Sequence, residues 1–231
     1  MKRCTLTTKA IVFDLDYTLY DAGDFYRSAF REIATDLARR HRSDQDALDT
    51  ALCAKWNERT SRYPWLFDEF LAEQQLPVSE VPRMIEQLHS HTTSLHLYPD
   101  AEQFLDEART FVKLGVVTDG NGKMQRNKVR ALELVKKVDE IVFTADGGVG
   151  WRKPSPLPFR AVCDQLGVEP EEAIYIGDNP KVDGVGPARI GMPAYRIRRG
   201  QFQEEPLEHG FVGEIVLLTD LFRGALELQG R

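Results

Sequence analysis

The stretch Ala10-Ile11-Val12-Phe13-Asp14-Leu15-Asp16-Tyr17-Thr18 decides how this chain is to be read. Four apolar residues, β-branched or aromatic for the most part, run without a polar interruption and stop at an acid. A strand buried on both faces reads this way, because neither side needs a polar residue for water. From about Asp24 to His91 the pattern changes. Tyr26, Phe30, Ile33 and Leu37 recur every three or four residues, as do Val81, Met84, Ile85 and Leu88, so this segment is predicted all-helical, with Asp24 as a cap for its first helix.

From Asp100 onward short apolar strands alternate with helices. Helices are predicted at about 100–110, 122–136 and 156–166, and strands at Gly115–Thr118, Ile141–Phe143, Ala173–Ile176 and Ala194–Ile197. Such alternation implies a parallel α/β sheet of Rossmann-like type, and the strand at 10–14 belongs to it. The helical segment is then an insertion after the first strand. Residues 1–20 and 98–231 are expected to form the core, with 21–97 as an inserted α-helical bundle.

Composition narrows the function. The length of 231 residues is about 1.5 typical domains, which does not set a domain count. With 30 Lys+Arg against 36 Asp+Glu the chain carries a net charge of −6, which argues against a dedicated nucleic-acid binder. No apolar run exceeds four residues, where a membrane span needs about 20. Cys4, Cys53 and Cys163 are scattered and form no CxxC, as in a reducing compartment, and Met1-Lys2-Arg3 is followed by no apolar signal segment. The cytoplasm is the expected location. Oligomeric state is not legible.

In a parallel α/β sheet ligands bind beyond the carboxyl ends of the strands, so the residues just after each apolar run carry the chemistry. These are Asp14-Leu15-Asp16-Tyr17-Thr18, Thr118-Asp119-Gly120, Lys153-Pro154-Ser155-Pro156 and Gly177-Asp178-Asn179-Pro180 with Asp183 beyond. Asp14 and Asp16 stand two apart, so an extended backbone turns both to one side. With Asp178 they form a cluster that repulsion would protonate or separate, unless a hard divalent cation such as Mg²⁺ binds. Lys153 adds a positive charge and Thr118 a hydroxyl donor. Together these groups suit a phosphoryl substrate: a nucleophile, cations for the spreading charge, and donors to orient it.

In this order, Asp14-x-Asp16-x-Thr18, Thr118, Lys153-Pro-Ser-Pro and Gly177-Asp178-x-x-x-x-Asp183 resemble the four motifs of the haloacid dehalogenase superfamily. The resemblance covers about 8–20 and 98–200. A helical insertion between the first two motifs resembles the C1-type cap of the family's subfamily I. The resemblance implies a Mg²⁺-dependent phosphatase acting on a small phosphorylated metabolite. It makes Asp14 the nucleophile that forms an aspartyl-phosphate. Asp16 becomes the group that protonates the leaving oxygen and then activates water, its backbone carbonyl also binding Mg²⁺. Asp178 becomes a direct metal ligand, while Asp183 and Thr18 support the site. Thr118 and Lys153 would hold the phosphoryl oxygens, with Lys153 also stabilising ionised Asp14. The family member that cleaves carbon–halogen bonds lacks an acid at the position of Asp16, so Asp16 favours phosphate chemistry. Asp119, in the phosphate-binding loop, departs from the Asn of many relatives, and another carboxylate there is unfavourable unless it points away or meets a substrate hydroxyl.

The same sequence admits other readings. An EF-hand loop from Asp14 fails because Leu19 replaces the required glycine and Phe25 the required glutamate. Gly147-Gly148-Val149-Gly150 lacks the order of a nucleotide-binding loop and reads as a turn. His89, His91 and His96 have no regular metal spacing and read as solvated linker. Trp56, Arg59, Arg62, Tyr63, Trp65 and Phe67 read as the core of the helical insertion with snorkelling arginines, the alternative being a substrate-facing wall. Arg196, Arg198 and Arg199, after the last predicted strand, read as solvated surface. A phosphomutase shares every core residue with a phosphatase. A non-catalytic phospho-ligand-binding relative would be expected to have lost Asp14 or Asp16. A receiver domain needs neither Asp16 nor an inserted cap.

Overall fold

The computed structural model describes residues 8–59 and 63–221; Met1-Lys2-Arg3, Cys4 and Arg62 lie outside them. Six strands form one sheet: β1 (Ala10–Phe13), β2 (Lys113–Thr118), β3 (Glu140–Phe143), β4 (Ala173–Gly177), β5 (Ala194–Ile197) and β6 (Gly213–Ile215). Their order is β3-β2-β1-β4-β5-β6 and every pair is parallel. All four residues of β1 are buried, because β1 is hydrogen-bonded on both edges, Phe13 standing beside Val116 of β2 and Ile176 of β4. The continuous apolar run therefore marks the centre of the sheet. This strand order reverses direction between β1 and β4, and a crevice opens at such a point beyond the carboxyl ends.

The chain divides into two compact units, one made of the described residues up to Ala22 and from Leu95 on, the other of Gly23–Ser94. The second holds α1 (Ala22–His41) from its second residue, then α2 (Gln45–Arg59), α3 (Leu66–Glu73) and α4 (Val81–Ser90). Its interior is aromatic: Tyr26 lies 4.9 Å from Trp56, centroid to centroid, and Phe30 packs edge-on against Trp56 and Phe67. Trp56 and Phe67 are thus core residues here, while Trp65 is exposed and Arg59 ion-pairs with Glu69 at 3.0 Å. Tyr63 donates its hydroxyl to the same Glu69.

The sheet unit adds α5 (Pro99–Ala108), α6 (Gly122–Ala131), α7 (Leu157–Leu166) and the short α8 (Val185–Ala188). One layer of its core joins Val12, Val117 and Tyr175 of the sheet to Phe159, Val162 and Leu166 of α7. No helix among the described residues is long and apolar enough to cross a membrane.

The structure corrects four expectations. Helix α1 starts at Ala22, so Asp24 sits inside its first turn, bonded to Arg27 at 2.7 Å, and is not its cap. The strand at Ala194–Ile197 is not the last, since the three-residue β6 pairs with it. Arg196 is not solvated surface: it is fully buried, its guanidinium donating to the carbonyls of Glu205 and Phe202 and meeting Glu214 of β6 at 3.2 Å. Arg199 also bonds, to Asp100 at 2.9 Å, and lies over the Tyr98 ring, whereas Arg198 is exposed. Finally, His91 is no solvated linker. Its buried ring contacts Glu32 at 2.6 Å and Ser28 at 3.0 Å and meets the edge of Phe25.

Candidate active site

The register of the three central strands brings three motifs to one sheet edge. Asp14 follows β1, Thr118 ends β2, and Asp178 follows β4. Lys153, from the segment between β3 and α7, closes the group: its ammonium lies 2.5 Å from Asp14 Oδ1 and 2.8 Å from Asp183 Oδ1. Asp14, Asp178 and Asp183 are buried and offer carboxylate oxygens within 4.8 Å of one another. No other such group of acids, histidines or cysteines occurs among the described residues, so His89, His91 and His96 form none.

The partners of each carboxylate separate their possible roles. Both oxygens of Asp183 are engaged by protein: Oδ1 by Lys153 and by the Tyr175 hydroxyl at 3.0 Å, Oδ2 by the Asn179 backbone N–H at 2.9 Å. Asp178, in contrast, keeps a buried oxygen, Oδ2, with no partner among the described residues. Buried acceptors are rarely left so, and such an atom suits a cation or its water. Asp183 reaches the group because residue 177 is glycine. A Cβ there would fall on the Asp183 carboxylate.

Burial and like charge raise the acids. Burial pushes Asp14 up to about 7, against the pull of Lys153 and helped by the nearby Asp183. Burial, with Asp14 and Asp183 as charged neighbours, holds Asp178 well above the carboxylate range. Burial would lower Lys153, but Asp14 and Asp183 outweigh it and keep the ammonium charged. Left with protein groups alone, three acids and one lysine carry more negative charge than this buried site favours. A divalent cation at Asp14 and Asp178 corrects that imbalance, so the residues present fit a metal.

Thr118 is buried and its Oγ1 has no partner among the described residues, which leaves a hydroxyl to orient an anion. Thr18 is buried with its Oγ1 likewise unpartnered. Asp119 accepts the backbone N–H of Lys153 at 3.2 Å. That contact gives the departure at 119 a local use, holding the lysine segment against the end of β2.

Asp16 lies apart from the acid cluster in its bonding. Lys128 sits 2.8 and 3.0 Å from its two oxygens, Gln125 Nε2 donates to Oδ2 at 2.9 Å, and the Tyr20 hydroxyl donates to Oδ1 at 2.5 Å. Burial would raise the Asp16 carboxyl, but Lys128 and these hydrogen bonds bring it below the ordinary value. The next residue, Tyr17, has φ +59°, a left-handed conformation that bulky side chains rarely adopt and that turns the chain sharply after Asp16.

Tyr175, Gln125, Lys128 and Tyr20 are not among the residues the motifs nominate. A signal existed for two of them. Met124, Gln125, Lys128 and Val129 form the buried face of α6, and a lysine on the inward face of a helix requires a buried acid.

A family model described as haloacid dehalogenase-like hydrolase matches residues 11–196, a span that contains every motif of this site. The chain belongs to this family. Within it, the chain is similar to a glyceraldehyde 3-phosphate phosphatase from Methanopyrus kandleri, 32% identical over 211 residues that cover 85% of this chain and 86% of the relative. Among solved structures, a HAD phosphatase from Thermococcus onnurineus superposes with a TM-score of 0.65 at 26% identity, covering 96% and 98% of the two chains. A dehalogenase superposes with the same score at 24% identity, covering 93% of this chain and 96% of its own. The fold of this hydrolase therefore does not separate carbon–halogen from phosphate chemistry. The side chains must.

Proposed function

We propose that this hydrolase cleaves phosphate monoesters of small metabolites with Mg²⁺, through an aspartyl-phosphate on Asp14. The observation that carries the reading is the pairing of Asp14 with Lys153 at 2.5 Å beside an Asp178 oxygen that has no partner among the described residues. Asp14 and Asp178, with the main-chain carbonyl of Asp16, are the groups that would hold the cation. When bound, the cation would neutralise phosphoryl oxygens that the acids otherwise repel. The 32%-identical relative is named a phosphatase, which supports the same chemistry, and three-carbon phosphate esters are the first substrates to try.

In this reading Asp14 attacks phosphorus while Lys153 and the Thr118 hydroxyl hold the phosphoryl oxygens. Asp16, held ionised at rest by Lys128 and its hydrogen bonds, first takes up a proton from the entering monoester or from water, and gives that proton to the ester oxygen as its bond to phosphorus breaks, releasing an alcohol. Water then attacks the phosphorus of the Asp14 ester, the Asp14–phosphorus bond breaks, and Asp16 takes back a proton from the water. Asp183 and Tyr175 also bond the ammonium of Lys153 and help to fix it beside Asp14. We read the helical insertion, residues 21–97, as a C1-type cap that sets specificity. Cys53 and Cys163 are free thiols, which supports a cytoplasmic setting.

A panel of phosphorylated metabolites, assayed with Mg²⁺ for wild type and Asp14→Asn, tests the proposal. Release of inorganic phosphate by wild type alone is the expected result. Hydrolysis unaffected by Asp14→Asn overturns the nucleophile, activity intact in excess EDTA overturns the metal, and isomerisation without free phosphate moves the reading to a mutase.

A further inference from the structure

The carboxylate assigned the proton transfers is held by side chains that no motif nominates. A carboxylate offers about four acceptor sites. Tyr20 takes one on Oδ1, Gln125 one on Oδ2, and Lys128 reaches both oxygens. Every lone-pair direction of Asp16 is thus occupied. Lys128 is 0% exposed, at a position on α6 flanked by buried Met124 and Val129 where an apolar residue would fill the space. Burying an ammonium so completely is costly unless it is paired, so the pairing with Asp16 sets the identity of residue 128.

The same helix is placed for this contact at two points. Gln125 bridges Asp16 and the carbonyl of Asp119, tying the loop after β1 to the end of β2. Gly120, at φ +136°, leaves room for it, since a Cβ there would stand 2.7 Å from Gln125 Nε2.

We infer that Lys128 is a positioning residue for Asp16, its ammonium keeping hold of one carboxylate oxygen while the other leaves Lys128 and Tyr20 or Gln125, takes up the proton and turns to the leaving-group oxygen. The inference rests on the phosphatase reading and adds to it the group that aims its acid. Lys128 acts through Asp16, whose two oxygens its ammonium meets. Its removal should act where proton donation to the leaving group matters and not elsewhere.

Two esters with rings of similar shape separate these effects. p-Nitrophenyl phosphate releases a stabilised phenolate that needs little protonation, whereas phenyl phosphate releases a more basic oxygen. Comparing kcat/KM for the two reports phosphoryl transfer to Asp14. Lys128→Met is expected to lower kcat/KM on phenyl phosphate at least about tenfold more than on p-nitrophenyl phosphate. Asp16→Asn should show the same selectivity, and the double variant should be no worse than Asp16→Asn. Equal losses on both esters, or a double variant that multiplies the single losses, would overturn the inference. Should Lys128→Met fail to fold, Lys128→Gln reads the same ratio. Wild-type hydrolysis of both esters, stopped by Asp14→Asn, is what the phosphatase reading requires by itself, so the leaving-group ratio tests Lys128 separately.

Discussion

Lys153 Nζ and Asp14 Oδ1 stand 2.5 Å apart in a site where Lys153 is 5% and Asp14 8% exposed, and the lysine spans from there to Asp183. A buried pair of this kind costs desolvation to form and more to break, because removing one partner leaves the other charged and unsolvated. Lys153→Met is therefore expected to destabilise the fold by about 3–5 kcal/mol and to remove turnover. Adding Asp14→Asn should restore part of that stability without restoring activity. Denaturant unfolding of the single and double variants checks this, and equal stability of Lys153→Met and wild type would exclude the coupling.

The raised acids fix the sign of a pH effect. Asp14, pushed up to about 7, and Asp178, also held well above the carboxylate range by burial and its acidic neighbours, bind protons more tightly folded than unfolded. Their contribution to stability is complete below the ordinary carboxylate range and is lost as pH rises through the folded values. Metal-free protein should thus lose stability from these groups from about pH 4 upward through 7. Mg²⁺ competes with those protons, so the thermal shift it produces should be larger at pH 8 than at pH 5. At a hundredfold excess over Kd the gain is about 2.7 kcal/mol. A shift independent of pH would separate the metal from these carboxylates.

Gly177→Ala places a Cβ on the Asp183 carboxylate, in the turn that carries Asp178. A cost of about 1–3 kcal/mol and a fall in kcat are expected, since the neighbour is held by three hydrogen bonds and has nowhere to move. Calorimetry with steady-state kinetics would show it. Unchanged activity would mean that Asp183 does not need its observed position.

Arg196 offers a test away from the chemistry. Its guanidinium closes the segment between β5 and β6 by bonding two of its carbonyls and Glu214. Arg196→Met should cost about 2–4 kcal/mol, because the buried Phe202 carbonyl, the partly buried Glu205 carbonyl and an acid lose their donor. Native thermal stability in this variant would refute the role.

Much of the site was legible because parallel strands buried on both faces leave their polar residues at the ends. Asp14, Thr118, Lys153 and Asp178 each stand just past an apolar run or open a helix, and three strands in register bring them together. Long-range pairing is what periodicity cannot show. Arg196 and His91 read as solvated because a charged residue in one dimension carries no sign of the partner that buries it. Lys128 lies 112 residues from Asp16, so the acid gives no local hint of its anchor. Tyr175 looked like one more strand residue, although its hydroxyl joins Lys153 to Asp183. Strand β6, only three residues with a single buried side chain, is too short to carry a pattern.

The central claim is that Asp14 carries the phosphoryl group, and trapping tests it most directly. Protein quenched in acid during turnover with labelled substrate, reduced with borohydride and mapped by mass spectrometry, should show the residue at position 14 converted to homoserine in wild type and unmodified in Asp14→Asn. Steady turnover with no modification at that position, or substantial hydrolysis by Asp14→Asn, would contradict the account.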